Sequence, residues 1–248
     1  AVYFFRYMHY ILNKKYNVIV DTENPDLVFY SNLFTPDNQI DDCTGVNCSM
    51  VENYPNAKKI FMSGEHVPDY AHWLKSPSHY TIGVPCSVNN EHTLQVQAHS
   101  MCQAWFLWHS CKLFSGPDWI TAPRKYEEIK PFKQHFCSIV QNAEIPYRRQ
   151  LFDKLHSYEF VRAVGHFEST VPDYRLYHDE ILDYTNKHNF MKECIFSIQT
   201  QSTCYDRLTH EKMIQAFAAN TIPIFWGNNK ILEDGWNPEA FINCHNFD

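Results

Sequence analysis

Short apolar runs separated by polar turns fill the first part of the chain and predict β-strands. Residues 17–20 and Leu27–Tyr30 are mostly aliphatic, and Glu23-Asn24-Pro25-Asp26 between them is typical of a turn. Residues 59–62 predict a third strand. Ser63-Gly64-Glu65-His66 follows at once, so Glu65 is expected in a polar turn at the carboxyl end of that strand.

The middle of the chain has a less regular pattern. Residues 94–113 contain an apolar block at 105–108 and fit a strand or a buried helix equally well, so this segment stays open. Residues 115–131 combine prolines, a glycine and charged residues with little apolar periodicity, which favours an interlobe linker. We therefore predict two lobes, residues 1–128 and 129–248.

The second lobe reads as two consecutive β-α-β units. In the first unit, a strand at His135–Val140 and a strand at residues 160–164 flank a helix at 147–157. The second unit combines a strand at 194–198, a long polar loop, and a helix at 210–219 that leads to a strand at Ile222–Trp226.

Two residues predict the ends of the second helix. Thr209 is a candidate N-cap, and Asn220 is a candidate left-handed residue that closes the helix. Consecutive β-α-β units favour a parallel sheet with flanking helices, an α/β fold. In such sheets the loops at the carboxyl ends of the strands form the ligand-binding edge.

Charged residues fall at edges of this kind. Glu65 follows a strand, Arg148 lies in the first turn of one helix, and Glu211-Lys212 lie in the first turn of another. A helix N-terminus offers free N–H groups and a partial positive charge, so an added Arg or Lys creates an anion site. We predict Arg148 and Lys212 as phosphate ligands, although a charged residue in a first helical turn is, taken singly, more often solvated surface.

Composition removes several classes of function. The chain of 248 residues has 21 Lys and Arg against 28 Asp and Glu, a net charge of −7, so it lacks the basic surface that binds nucleic acid. No apolar stretch approaches the ~20 residues that span a bilayer. The chain starts at Ala1 without a signal peptide, which indicates an excised catalytic portion.

The absence of several known motifs excludes some kinds of active site. The seven glycines form neither a dinucleotide-binding fingerprint nor a P-loop, which excludes dehydrogenase and kinase sites of those types. No Asp-x-Asp is present to hold a metal against a diphosphate, so we expect a metal-independent site. The nine cysteines and 14 histidines show no zinc-ligand spacing, although Cys43 and Cys48 could pair in an oxidising compartment.

The carboxyl-terminal segment carries a specific resemblance. It resembles the signature of the α-1,3-fucosyltransferases, glycosyltransferase family 10. The residues that carry it are Glu211-Lys212-Met213-Ile214-Gln215-Ala216-Phe217, Asn220-Thr221-Ile222-Pro223-Ile224-Phe225-Trp226-Gly227, Asn237-Pro238 and Phe241-Ile242-Asn243, with Pro25-Asp26-Leu27-Val28, Gly64-Glu65 and Tyr147-Arg148 upstream in the same order.

The resemblance implies a GT-B-type α/β fold, in which two Rossmann-like lobes for acceptor and GDP-fucose face each other across a cleft. It implies inverting transfer of fucose to a hydroxyl of N-acetylglucosamine or glucose in a glycan, without a required metal. Glu65 would be the general base, and Arg148 and Lys212 would hold the diphosphate. Glu211 would reach the ribose or the fucose. Ser202 and Tyr205 would also belong to the donor site.

Departures from the family pattern leave two alternatives open. Phe-Glu-Asn-Ser or Phe-Glu-Asn-Thr is usual before the Glu-Lys pair, whereas this chain has Thr200-Gln201-Ser202-Thr203, and Leu208 replaces a frequent aromatic residue. The family also continues beyond Phe-Ile-Asn, so the second lobe is expected to be truncated. The alternatives are a degenerate member that binds glycan or nucleotide without turnover, and a transferase for another GDP-sugar.

The resemblance leaves the compartment undetermined. A bacterial-type member would work at the cytoplasmic face of a membrane, and an animal-type member would work in the Golgi lumen on protein-linked glycans. Membrane association would require segments outside this chain. The stretch from Ala216 to Ile224 is closer to the bacterial pattern, while Asn47-Cys48-Ser49 is a possible glycosylation acceptor.

Overall fold

The chain divides into two compact units, Ala1–Cys102 and Gln103–Asp248. The lobe boundary at residues 128 and 129 stays a prediction. We analysed a computed structural model, which describes residues 2–30, 53–62, 79–82, 93–94, 98–114, 116, 119, 124–172, 174, 180–202, 204, 206 and 208–247.

The first unit contains a parallel sheet of four described strands in the order β1-β2-β3-β4. The strand predicted at Leu27–Tyr30 is confirmed, and the strand predicted at 59–62 begins one residue earlier. The described elements of this unit are α1 (Val2–Asn13), β1 (Leu27–Tyr30), β2 (Lys58–Met62), β3 (His79–Ile82) and β4 (Thr93–Leu94).

Two parts of the first unit differ from the sequence pattern. The strand predicted at residues 17–20 is wrong, because these residues are irregular and pair with no described strand. Helix α1 precedes them and was not predicted. Further on, Ala98–His109 forms a helix, α2, which decides the open choice between strand and helix in the block around Trp105.

The second unit contains a parallel sheet of five described strands in the order β6-β5-β7-β8-β9. Its strands are β5 (His135–Val140), β6 (Val161–Val164), β7 (Cys194–Thr200), β8 (Ile222–Trp226) and β9 (Ile242–Asn243). Its helices are α3 (Tyr126–Ile129), α4 (Pro146–Tyr158), α5 (Glu180–Lys192) and α6 (Lys212–Ala218), with 3-10 turns at Lys130–Phe132, Pro238–Ala240 and Cys244–Asn246.

Both predicted β-α-β units are present, and the α/β class is confirmed. The apolar core lies between the sheet and α4, where Ile139 and Ile198 from neighbouring strands join Phe152 of the helix and Phe167. These side chains are excluded from water, so burial of apolar area holds helix and sheet together. This packed core fixes the sheet, so the loops at the carboxyl ends of its strands begin from well-defined positions.

The predicted start of the second helix is wrong. The helix begins at Lys212, and Glu211 occupies the N-cap position without a side-chain cap. Thr209 does not cap it, because its hydroxyl oxygen accepts a hydrogen bond from Asn228 Nδ2 at 3.1 Å. The predicted helix end is confirmed at Asn220, which has a φ of 54° in the left-handed region.

Candidate functional site

The order of the second sheet defines a switch point between β5 and β7. The chain passes from β5 outward to β6 on one side, and β7 and β8 extend the sheet on the other side. The loops that follow β5 and β7 are therefore expected to leave the sheet toward opposite faces, the arrangement that opens a crevice at the carboxyl ends of strands in α/β folds. Open α/β sheets bind ligands at this kind of position.

Arg148 of α4 lies at this edge and is only 2% exposed. Its Nε donates to Thr200 Oγ1 at 2.7 Å, and its Nη2 donates to the carbonyl of Thr200 at 3.1 Å. Nη1 donates to the carbonyl of Ala143. The side chain thus fastens the loop after β5 and the start of α4 to the end of β7.

The charge of Arg148 is not neutralised within the described part of the chain. All three hydrogen bonds end on uncharged oxygens, and no described carboxylate forms an ion pair with this guanidinium. Burial lowers the pKa of Arg148, yet arginine stays protonated in proteins. The guanidinium has five N–H donors, so two of them are left for a ligand. A buried cation without a partner is costly, and an anion at this edge would offset that cost.

The next residue, Arg149, is a useful contrast. Its guanidinium pairs with Glu144 at 3.1 Å and with Glu168 at 2.9 Å, and it lies 4.3 Å from the ring centroid of Phe167. The hydrogen bonds to the two carboxylates raise the pKa of Arg149. The charge of Arg149 is therefore neutralised by carboxylates of the chain itself. Of these two neighbouring arginines, only Arg148 is suited to bind the anion of a ligand.

Gln201 connects the ends of β7 and β8. Its backbone N–H donates to the carbonyl of Trp226 at 2.9 Å, and its side-chain Oε1 accepts the N–H of Asn228 at 2.9 Å. A Cβ on Gly227 would lie 2.0 Å from Gln201 Oε1, so only glycine allows this close approach. Gln201 is buried and has a structural role in the loop after β8.

Aromatic rings cover one side of this edge. Tyr147, next to Arg148, packs on Trp226 with ring centroids 3.7 Å apart, and Trp226 stacks on His245 at 5.7 Å. Burial raises the pKa of Tyr147 to about 12, so its hydroxyl is protonated at neutral pH. These rings limit access of water to the end of β8 beside the arginine.

The other predicted site residues are placed as follows. Ser202 is exposed just after β7, two residues beyond the Thr200 that holds Arg148. Glu211 and Lys212 are partly buried at the start of α6, the helix that packs on β7 and β8. Glu65 and Tyr205 lie outside the described residues.

Sequence reasoning missed the residues that hold the edge together. Gln141 donates from Nε2 to the carbonyl of Thr200 at 3.2 Å, so that carbonyl serves both Gln141 and Arg148. Asn228 donates to Thr209 at 3.1 Å and to Asp234 at 2.7 Å. The only sequence signal for Gln141, Thr200 and Asn228 is that polar residues stand directly after, or at the end of, predicted apolar strands.

The chain is similar in sequence and in fold to known proteins over nearly its whole length. The α-(1,3)-fucosyltransferase FucT of Helicobacter pylori is 24% identical over 274 residues that include 97% of this chain. A crystal structure of an α1,3-fucosyltransferase superposes with a TM-score of 0.64 at 23% identity, covering 98% of this chain and 68% of that one. The chain resembles α-1,3-fucosyltransferases in sequence and in fold.

The resemblance confirms the GT-B-type α/β fold that the motifs predict. A second structure, an α1,3-fucosyltransferase with GDP-fucose, superposes with a TM-score of 0.57 at 20% identity over 94% of this chain and 77% of that one. No protein-family model matches the chain. The chain spans half the length of the H. pylori relative.

Neither a metal cluster nor a membrane span is found in the described parts. Among the residues described by the structure, no group of three or more His, Cys, Asp or Glu side chains could hold a metal ion. Over the same residues, every helix is too short or too polar to cross a membrane.

Proposed function

We propose that the chain is a fucosyltransferase that binds GDP-fucose at the carboxyl edge of the second sheet. The observation that carries this proposal is Arg148, a buried guanidinium at the switch point that keeps two donors and has no described carboxylate partner. Relatives of the same fold have been crystallised with GDP and with GDP-fucose, which supports a nucleoside diphosphate as the anion.

The start of α4 adds to the anion site. This helix has 13 residues and begins at Pro146, which has no N–H, so Tyr147 and Arg148 carry the first N–H groups that are free of helical bonds. The helix dipole and these N–H groups favour a phosphate in line with the axis. Lys212 at the start of α6 supplies a second cation, which has no ion pair within the described residues.

The proposed reaction is inverting transfer to a sugar hydroxyl. Glu65 acts as general base and takes the proton of an acceptor hydroxyl on N-acetylglucosamine or glucose. That oxygen attacks the anomeric carbon of fucose while GDP leaves from the opposite face. Arg148 and Lys212 stabilise the charge that develops on the leaving diphosphate. Glu211, Ser202 and Tyr205 complete the donor site, and no metal is required.

The donor site is tested by isothermal titration with GDP and with GDP-fucose, once with EDTA and once with Mn²⁺. We expect both ligands to bind in EDTA. Arg148→Lys keeps the positive charge but removes the planar guanidinium that would bond Thr200 and the ligand together. Lys212→Ala removes one cation. Each variant should weaken GDP binding by about tenfold or more.

The matched control is Lys154→Ala, which removes a cation from the exposed part of α4. It should leave GDP affinity unchanged. Because Lys212 makes no described ion pair, Lys212→Ala keeps the fold and stays informative even if Arg148→Lys is unstable. Equal GDP affinity in Lys212→Ala, Arg148→Lys and the native chain would overturn the diphosphate site.

A degenerate member that binds without turnover is the second candidate. The position of Gln201 favours it, because Gln201 replaces a carboxylate of the family pattern and its Oε1 is taken up by the N–H of Asn228 in the loop after β8. Transfer of fucose to N-acetyllactosamine distinguishes the two functions. An active enzyme should lose about a hundredfold or more in rate in Glu65→Gln with GDP affinity retained. If the native chain binds GDP but transfers no fucose, it is the degenerate member that binds without turnover.

A further inference from the structure

A groove of about 850 Å³ lies within the first unit. Helix α1 lines it with Met8 and Leu12, and β1 lines it with Leu27 and Phe29. The irregular residues 17–21 line it as well. All of these residues belong to the segment from α1 to β1, so the groove is a feature of the first unit alone.

Two of its borders are backbone stretches without a strand partner. Strand β1 pairs in parallel with β2 along one edge, and no described strand pairs with the other edge. Residues 17–20 have a strand-forming sequence and likewise pair with no described strand, although the Val18 N–H donates to Asn13 Oδ1 at 3.1 Å. Unpaired N–H and C=O groups of this kind are a template for an added strand.

Large apolar side chains are exposed at the same place. Ile19 is 77% exposed and Val20 is 80% exposed, and Tyr16 and Leu27 are 55% and 40% exposed. All four line the groove. Single exposed apolar residues are common, but a contiguous group that surrounds one groove marks an interaction site.

The charges of the lining residues constrain the occupant. Asp21 and Asp26 line the groove, and none of the lining residues that the structure describes is Lys or Arg. The carboxylate of Asp21 accepts the N–H groups of Glu23 and Asn24 at 2.7 and 3.1 Å, and these bonds lower its pKa. Two carboxylates beside an apolar surface fit a segment that is apolar along its length and basic at one end.

We propose that this groove binds one extended polypeptide strand, supplied from outside the 248 residues, which adds to the edge of β1 that no described strand occupies. The strand runs parallel to β1, because every described pair in this sheet is parallel. Its aliphatic or β-branched side chains cover Ile19, Val20 and Leu27. A compact apolar ligand would cover the same side chains but would give no strand partner to residues 19–20 or to the β1 peptide groups that point away from β2.

The test uses the whole chain with a strand tethered at its N-terminus. The sequence Lys-Thr-Val-Ile-Val-Thr-Lys is fused through a twelve-residue Gly/Ser linker, whose reach of roughly 19 Å is comparable to the length of α1. A second fusion has proline in place of the central isoleucine, which removes one N–H donor and disfavours the strand. Hydrogen exchange is measured at the amides of Ile19, Val20, Leu27 and Phe29. The Val28 amide is left out because the parallel register turns it toward β2, and the Val18 amide because it donates to Asn13 Oδ1.

We expect these amides to exchange about tenfold or more slowly in the first fusion than in the proline fusion. Ile19→Asp places a charge against the apolar strand and should remove most of that difference. Since Ile19 is exposed, this substitution leaves the fold of the chain intact.

Three results would overturn the proposal. The first is equal exchange in the two fusions. The second is strong protection of these amides in the unfused chain, which would mean that the chain itself covers the groove. The third is binding of an apolar dye at these residues that the tethered strand does not displace, which would identify a ligand cavity. Each result is independent of whether GDP-fucose binds to the second unit.

Discussion

Arg148 and Arg149 are neighbours whose charges are used in different ways. Arg149 is paired with Glu144 and Glu168 and stabilises the fold at the surface. Arg148 is buried, and its hydrogen bonds end on uncharged oxygens of Thr200 and Ala143. Because this charge is buried without a described carboxylate partner, we expect an anion bound at this edge to stabilise Arg148.

Gly227 is a residue whose replacement should be costly. Gly227→Ala places a Cβ 2.0 Å from Gln201 Oε1, and Gln201 cannot move without losing its hydrogen bond to the N–H of Asn228. We expect the free energy of unfolding to fall by about 1–3 kcal/mol, measured by urea denaturation.

A double-mutant cycle isolates this clash. In a Gln201→Ala background the added methyl group has space, so Gly227→Ala should cost much less there than in the native chain. Gly116→Ala is the matched control, because a Cβ at Gly116 meets nothing within 4 Å. An equal cost of Gly227→Ala in both backgrounds would show that Gln201 does not hold this loop.

At the scale of elements, Lys133 joins the ends of two helices. It precedes β5, and its Nζ donates to the carbonyl of Lys192 at the end of α5 at 2.9 Å and to that of Ala219, just after α6, at 3.3 Å. Its pKa is lowered from an ordinary 10.5 to about 8, mainly by burial; the nearby Cys194 opposes this shift and Lys192 adds to it.

This lowered pKa predicts a pH dependence of stability. Below pH 8 both the folded and the unfolded chain carry the proton, so folding pays the full cost of burying the charge. Between about pH 8 and 10.5 the unfolded chain binds more protons than the folded chain, so this contribution to stability rises with pH.

Lys133→Met removes that contribution. The free energy of unfolding of the native chain, minus that of Lys133→Met, should increase from pH 7.5 to pH 10 in urea denaturation. Lys154→Met on the exposed face of α4 is the control and should give a constant difference. Parallel pH profiles for the native chain and Lys133→Met would contradict the assignment.

The local pattern of apolar and polar residues predicted some of the helices and strands correctly, but not all of them. The bounds of β5 and β8 match the sequence prediction because apolar runs there end at polar turns. Residues 17–20 have equal strand propensity but form no ladder, since pairing depends on a partner elsewhere in the chain. Helix α1 was missed although its apolar residues recur at helical spacing. Helix α6 starts three residues after Thr209, whose hydroxyl accepts a hydrogen bond from Asn228, a residue that local sequence does not bring near.

The position of Arg148 in the candidate site could be predicted from the sequence, but its hydrogen bonds could not. The place of Arg148 in the first turn after β5 follows from the β-α-β pattern alone. Its bonds to Thr200 depend on β5 and β7 lying side by side, with Ile139 opposite Ile198, and that register is set by contacts distant in sequence. The same reason explains why Gln141 and Asn228 could not be identified from the sequence.

At the scale of the whole molecule, the central claim is that the switch point of the second sheet binds a nucleoside diphosphate. The observation behind this proposal is the geometry of Arg148, whose buried guanidinium has no described carboxylate partner. The proposed strand groove of the first unit is a separate feature, so the two sites can be tested without reference to each other.

The most direct measurement is hydrogen exchange of the whole chain with and without saturating GDP. We predict slower exchange in the loop after β5, at the start of α4, directly after β7 and at the start of α6, and no change in residues 17–30. This protection should be lost in Arg148→Lys at the same GDP concentration. Protection confined to other segments, or none in a folded chain, would contradict the account.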